Sequence, residues 1–266
     1  MRLLKSIHPQ CALLVGLVAM SSFPAQALHI VLDPGHGGVD KGAVYGSTKE
    51  ADLVLKVANR LKELLETDPQ FRVTMTRTQD RNISLQERVN MAEQAKADLF
   101  VSLHANAATD QRARGVEFFF QNSLPPDEES LYLAAQENQN ALRQESVGTK
   151  DTSASELSKK SDVAAIVEDL QRQHRLHSSL RLTQTLTRVW SEDRAAASAS
   201  IKQAPFFVIS KTSMPSVLIE IGFLSNPRES QKLLNTAYQK DLAQKIYNAL
   251  GAYKEKVDNS TAKTLD

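Results

Sequence analysis

The sequence predicts an α/β protein: a single twisted β-sheet of about six strands flanked by helices, with a helical insertion before the last two strands. Three observations predict it. Short apolar, β-rich runs alternate with amphipathic helical segments, the pattern of a sheet covered on both faces. Turn-forming residues close the first of these runs, at Asp33-Pro34-Gly35. From 121 to 200 the alternation stops, and the chain becomes rich in Gln, Ser, Glu and Arg with a single glycine.

The elements follow in order. Residues 28–32, Leu-His-Ile-Val-Leu, form a strand that ends in the Asp-Pro-Gly turn. Residues 51–66 carry Leu53, Val57, Leu61 and Leu64/Leu65 at helical spacing, and Asp68-Pro69 stops that helix. Residues 71–76 alternate as a strand. Ser84 followed by Glu87 is a capping box that opens the next helix. Residues 98–104 and 115–120 are the third and fourth strands. Within the insertion, 131–138 and 163–190 read as helices, the second with Ile166, Leu170, Leu180 and Leu186 at loose helical spacing. The polar stretch 149–161 reads as a loop between them. Residues 206–210 and 216–221 read as the last two strands. A long amphipathic helix from about Ala237 to Lys254 closes the domain, and 257–266 reads as a frayed tail.

The first 27 residues stand apart from this fold. Arg2 and Lys5 give a positive start, residues 11–20 an apolar run, and Ala25-Gln26-Ala27 a small-x-small cleavage site. The apolar run is shorter than the roughly 20 residues a membrane span needs. These features predict an exported chain cut after Ala27, resident in the periplasm and not inserted in the membrane. A catalytic domain at 28–256 is then expected, with 121–200 as its regulatory insertion. Cleavage removes Cys11, the one cysteine, so internal disulfides and Cys-based metal sites are excluded. The formal net charge is +1, which becomes −1 when Arg2 and Lys5 leave, and argues against a nucleic-acid partner. No P-loop, GxGxxG, GxSxG or HExxH is present.

Any metal must be held by His, Asp or Glu. His8 leaves with the leader, while His29, His174 and His177 read as solvated surface residues. His36 and His104 differ, because each lies just past the C-terminal end of a predicted strand, where open α/β sheets gather their sites. Glu50 opens the helix after the first loop and can turn back toward His36. Glu220 sits in an apolar strand, where a carboxylate is costly unless paired or metal-bound. Two imidazoles and a carboxylate make a catalytic zinc set, and a further unliganded carboxylate can serve as base and then acid. On these residues alone, two core histidines and two satisfied carboxylates fit as well.

The ordered segments Asp33-Pro34-Gly35-His36-Gly37-Gly38-Val39-Asp40-Lys41-Gly42-Ala43, Lys49-Glu50, Thr76-Arg77 with Asp80, Gln86-Glu87-Arg88-Val89, residues 97–106, Gly115-Val116-Glu117-Phe118 and residues 215–226 resemble the Amidase_3 group of zinc-dependent N-acetylmuramoyl-L-alanine amidases. The resemblance runs from residue 28 to about 254. It implies His36, Glu50 and His104 as ligands of Zn2+, and Glu220 as the catalytic carboxylate. It also implies peptidoglycan as substrate, cut between the lactyl group of N-acetylmuramic acid and L-alanine. Gly35, Gly37 and Gly38 are expected to satisfy tight backbone geometry, and Asp33 and Asp40 to brace loops. Arg77 and Arg88 are expected to brace loops through ion pairs, and Asn106 to line the substrate cleft. Division-associated members of the group carry a helical insertion whose glutamate blocks the metal until an activator protein pulls the helix away. By that resemblance Glu137 is the expected blocking ligand, with Glu129 and Glu145 as the next candidates. The second helix, with Ile166, Val167, Leu170 and Leu176, either docks the activator or packs on this protein's own core. No separate targeting domain or wall-binding repeat is expected, so any placement at the division site comes through a partner. A zinc peptidase acting on stem peptides and a non-catalytic peptidoglycan-binding module remain as rival readings.

Overall fold

In a computed structural model, the structure describes residues 26–122, 124–145, 162–193 and 197–265. The expected leader up to residue 25 and the expected loop at 149–161 lie outside the described residues. The elements run β1 (Leu28–Pro34), β2 (Val44–Tyr45), β3 (Thr48–Lys49), α1 (Glu50–Glu66), β4 (Phe71–Met75), α2 (Leu85–Ala95), β5 (Leu99–Asn106), β6 (Val116–Phe120), α3 (Glu128–Glu145), α4 (Asp162–Glu192), β7 (Ala199–Gln203), α5 (Phe207–Lys211), β8 (Ser216–Phe223), α6 (Pro227–Leu234) and α7 (Thr236–Leu265).

Six strands form one sheet in the order β4-β1-β5-β8-β6-β7, and β2 and β3 form a small hairpin. The neighbours β4, β1, β5 and β8 are parallel, whereas β6 runs antiparallel to β8. Both faces are covered. Ile30 and Leu32 of β1 face a core shared with α1, α4 and α7, while Val31 faces a second core with Phe119, Phe206 and Leu218. A strand buried on both faces reads as a continuous apolar run, which is why β1, β5 and β8 are legible in the sequence. Ser84 and Glu87 make the expected capping box at the start of α2.

Three elements differ from the sequence reading. Residues 206–210 are not a strand: Phe206 starts the short helix α5, and Val208 and Ile209 bury against Phe119 and Leu218. The fifth strand of the six-stranded sheet in chain order is β7 instead. It is an edge strand whose side chains are half-buried or exposed, so it carries little apolar signal. The closing helix α7 also continues to Leu265, past the end expected at Lys254.

The insertion has two characters. Residues 163–174 of α4 are exposed, whereas Leu182, Leu186 and Trp190 lie in the main core. Trp190 packs edge-on to Phe118 with ring centroids 5.3 Å apart. The second half of α4 is therefore part of the domain's own core.

Candidate metal centre

The sheet order brings three strand ends together. β1, β5 and β8 are adjacent and parallel, so Pro34, Asn106 and Phe223 finish at one end of the sheet. His36 follows β1, His104 lies near the end of β5, and Glu220 stands beside His104 in the β5–β8 register. The register shifts between His104 and Asn106, an irregularity of the kind that re-aims side chains beside active sites. Glu50 opens α1, where the positive end of the helix dipole favours its charge.

Four ligand atoms converge. Glu50 Oε1 is 3.1 Å from His36 Nε2 and 3.1 Å from His104 Nδ1. Glu137 Oε2, from the middle of α3, is 3.4 Å from His36 Nε2 and 3.7 Å from His104 Nδ1. A tetrahedral zinc site with bonds of about 2.0–2.1 Å has ligand–ligand edges of about 3.4 Å, close to these separations. His36 Nε2 is buried and accepts no hydrogen bond. Its Nδ1 lies 3.0 Å from Asp40 Oδ2, which turns Nε2 toward Glu50 and Glu137. Glu50 is fixed from both sides, because Oε1 accepts from Ala105 N at 2.9 Å and Oε2 from Ala43 N at 2.8 Å.

The buried imidazoles and carboxylates shift one another's proton affinities. Burial pushes His36 down, but the Glu50 and Glu137 charges outweigh it and raise it well above its usual value. Burial likewise works against ionised Glu50, yet His36 and His104 hold it far below the ordinary carboxylate range. Glu137 is raised, chiefly by burial. Two imidazoles facing two carboxylates, with a buried nitrogen that has no hydrogen-bond partner, are a donor set that fits a divalent ion. His36, His104 and Glu137 offer ligand atoms within 4.8 Å of one another.

Glu220 is buried, and its Oε2 has no hydrogen-bond partner. Burial raises it well above the usual range, and the charges of Glu50, Glu137 and Glu117 add to this. It lines the same hollow of about 420 Å3 as His36, Glu50, Asn106 and Glu137. Asn106 Nδ2 donates to Glu117 Oε2 at 3.0 Å. Glu117 escaped the sequence reading, although a lone carboxylate inside Val-Glu-Phe-Phe-Phe was a signal. It faces Glu220 across the β6–β8 pairing.

The supporting shell is built on buried arginines. Arg88 binds Asp33 Oδ1 at 2.6 Å and donates to His36 O at 2.8 Å. His36 has φ of +57°, which costs a non-glycine residue about 1–2 kcal/mol, and the Arg88 bond helps hold it there. Asp33 also accepts from Thr76 and Ser102. Arg77 corrects the expectation of an ion pair: it donates to the carbonyls of Pro34, Gly35 and Ala51. Gly35 is required by close approach, since a Cβ there would overlap the His104 ring.

Of the other expected residues, Glu129 pairs with Lys202 at 3.0 Å rather than with the histidines. The side chain of Glu145 lies outside the described residues. His29 is buried, not solvated, beside Thr74 and Arg72, while His174 and His177 are exposed. On α4, Ile166, Val167 and Leu170 are exposed together with Val163, and Leu176 is half-buried. No helix among the described residues is long and apolar enough to cross a membrane.

Residues 30–252 match the Amidase_3 family, N-acetylmuramoyl-L-alanine amidase. The chain is 33% identical over 226 residues to N-acetylmuramoyl-L-alanine amidase AmiC of Escherichia coli O6:H1, covering 84% of this chain and 52% of that one. It thus spans about half the length of that relative. It is 32% identical over 237 residues to AmiA of Salmonella typhimurium, covering 88% of this chain and 79% of the other. The catalytic domain of CwlV, an N-acetylmuramoyl-L-alanine amidase from Bacillus (Paenibacillus) polymyxa var. colistinus, superposes with a TM-score of 0.60. It is 25% identical, over 86% of this chain and 98% of that domain.

Proposed function

The chain belongs to the Amidase_3 family of N-acetylmuramoyl-L-alanine amidases, and from that premise we propose that it is a zinc-dependent peptidoglycan amidase restrained by its own helix α3. The observation that carries the proposal is the convergence of His36, Glu50, His104 and Glu137 at 3.1–3.7 Å around a buried imidazole nitrogen with no hydrogen-bond partner. His36, Glu50 and His104 would hold the metal, and Glu137 would act as an inhibitory ligand beside them until α3 leaves.

Zinc in this set supplies Lewis acidity to the lactyl carbonyl and to the attacking water. The remaining work falls to the chain. Asp40 holds the tautomer of His36, and Ala43 and Ala105 hold Glu50 through backbone N–H groups. Glu220 takes a proton from the water and returns it to the departing nitrogen. Its burial in the same hollow as His36 and Glu50 places it to accept that proton and then donate it. The C–N amide bond breaks, leaving the lactyl carboxylate on the sugar and a free amine on L-alanine. Asn106, anchored by Glu117, lines the cleft where the peptide leaves.

The apolar run at 11–20 and the Ala25-Gln26-Ala27 site support export to the periplasm, and the exposed row Val163, Ile166, Val167 and Leu170 is the handle by which an activator protein draws the insertion away in cell separation. The regulatory part is α3 with the first half of α4, because the second half of α4 carries core residues.

Incubation of residues 28–266 and of Glu137→Ala with purified peptidoglycan and zinc tests the proposal, with products identified by mass spectrometry. Intact stem peptides released by Glu137→Ala and not by the parent chain are expected. Cleaved peptides still attached to sugar would show a peptidase instead. Zinc binding without turnover in either protein would leave a binding module.

A further inference from the structure

We propose that the hollow between the 107–115 loop and α6 is a binding subsite for the carboxylates of the substrate's peptide. The proposal rests on the amidase reading for the identity of that peptide. The hollow measures about 460 Å3, similar to the one at the metal centre. It lies at the same end of the sheet. Its loop follows Asn106 at the end of β5, its helix follows the end of β8, and Leu224 N donates to Asn106 O at 2.7 Å between them.

Its wall is cationic. Arg112, Arg114, Arg228 and Lys232 all line it. Arg112 is paired with Asp110 at 2.9 Å, whereas Arg114, Arg228 and Lys232 have no acidic partner among the described residues. Glu229 is the one acid in the wall. Both of its oxygens are taken by backbone groups, Oε1 by Gly115 N at 3.0 Å and Oε2 by Phe223 N at 3.0 Å. A full-length charge of only +1 makes this a local concentration rather than a general excess.

The site is also built rigidly. Asn226 Nδ2 donates to Ala113 O at 3.1 Å, and Glu229 clamps Gly115, so α6 fixes the backbone on both sides of Arg114. Gly115 has φ of +107° and leaves no room for a Cβ against Ser198, which sets the path of the loop. Two guanidinium groups on a fixed frame match carboxylates through paired N–H donors, better than a flexible ammonium would. The restraining Glu137, with Leu133 and Gln136 of α3, lines the metal hollow, and no α3 residue lines this one. The subsite is therefore open while the metal centre is blocked, and it holds the stem while the scissile amide is brought to the metal.

The test is calorimetric titration of the zinc-loaded full mature chain with the peptide L-Ala-γ-D-Glu-L-Lys, with the same peptide amidated at its carboxyls, and with inorganic phosphate. The free-acid peptide is expected to bind about tenfold or more tighter than the amidated one, and Arg114→Gln with Arg228→Gln to erase that difference. In the Glu137→Ala background the same pair of changes is expected to raise KM on peptidoglycan and leave kcat unchanged. Equal binding of acid and amide, or an unaltered preference in the double variant, overturns the subsite. Phosphate displacing the peptide at the peptide's own concentration overturns it too, as a mere anion sink. Turnover with unchanged KM in the double variant sinks the subsite and leaves the amidase standing. Arginine-dependent acid preference without any turnover by Glu137→Ala keeps the anion site and sinks the amidase.

Discussion

Asn138→Ala probes the restraint without touching a metal ligand. Asn138 follows Glu137 on α3, and its side chain ties the helix to the start of α5: Oδ1 accepts from Phe207 N at 2.8 Å, and Nδ2 donates to Pro205 O at 2.9 Å. Each such bond contributes about 0.5–1.5 kcal/mol net, so losing both weakens the docked state of α3 by about 1–3 kcal/mol. Every 1.4 kcal/mol is a tenfold change in an equilibrium, so the undocked fraction rises about 5- to 140-fold. While that fraction stays small, amidase activity rises by the same factor. The partly exposed position of the bonds places the expected value in the lower half of the range. The assay is release of soluble product from dye-labelled peptidoglycan, with the parent chain, Asn138→Ala and Glu137→Ala side by side at equal zinc occupancy. Strong activation by Glu137→Ala with less than a twofold gain in Asn138→Ala would refute the latch. No activation in either would refute α3 as the restraint.

Further outcomes follow from the same geometry. Glu220→Gln in an activated background is expected to lower kcat about 10²- to 10⁴-fold with zinc content unchanged, checked by turnover and metal analysis together. Arg88→Met strands buried Asp33 and is expected to cost about 3–5 kcal/mol in urea unfolding. Acid sensitivity has a defined sign at Asp33. Burial raises its pKa, but Arg88 and Thr76 outweigh this and hold it below the ordinary value. Its contribution is thus present above the unfolded value of about 3.9 and fades as pH falls through the folded one, so Asp33→Asn should flatten stability against pH below about 4. Trp190→Ala is expected to cost about 3–5 kcal/mol, measured by denaturant melts, whereas Leu170→Ala on the exposed half of the same helix should change stability little. Chelation should lower Tm and abolish turnover, and zinc should restore both.

Much of this protein is local in origin and so legible in the chain. β1, β5 and β8 are buried on both faces, and their unbroken apolar runs announce them. The Ser84–Glu87 box opens α2 by chemistry confined to four residues. His36 and His104 were legible because strand ends are legible, and Glu220 because a carboxylate in an apolar strand is expensive. Edge strand β7 was not, since partial exposure removes the periodic signal. The run at 206–210 misled for the opposite reason: it is apolar because it is buried, but it buries as a helix started at Phe206, just after Pro205, with Phe207 N held by Asn138 from a distant helix.

What the sequence determined by itself was the buried strands β1, β5 and β8, the strand-end histidines, and the carboxylates Glu50 and Glu220 placed near them. These depend on short-range periodicity and on the cost of burying charge. Tertiary structure decided how they meet. Glu137 reaches His36 only because α3 packs Leu133 and Ala134 into the second core. Glu117 faces Glu220 only because β6 runs antiparallel to β8. Trp190 closes the core from a helix whose first half stands in solvent. Contacts between residues tens of positions apart are fixed by packing and strand order, and no local pattern encodes them.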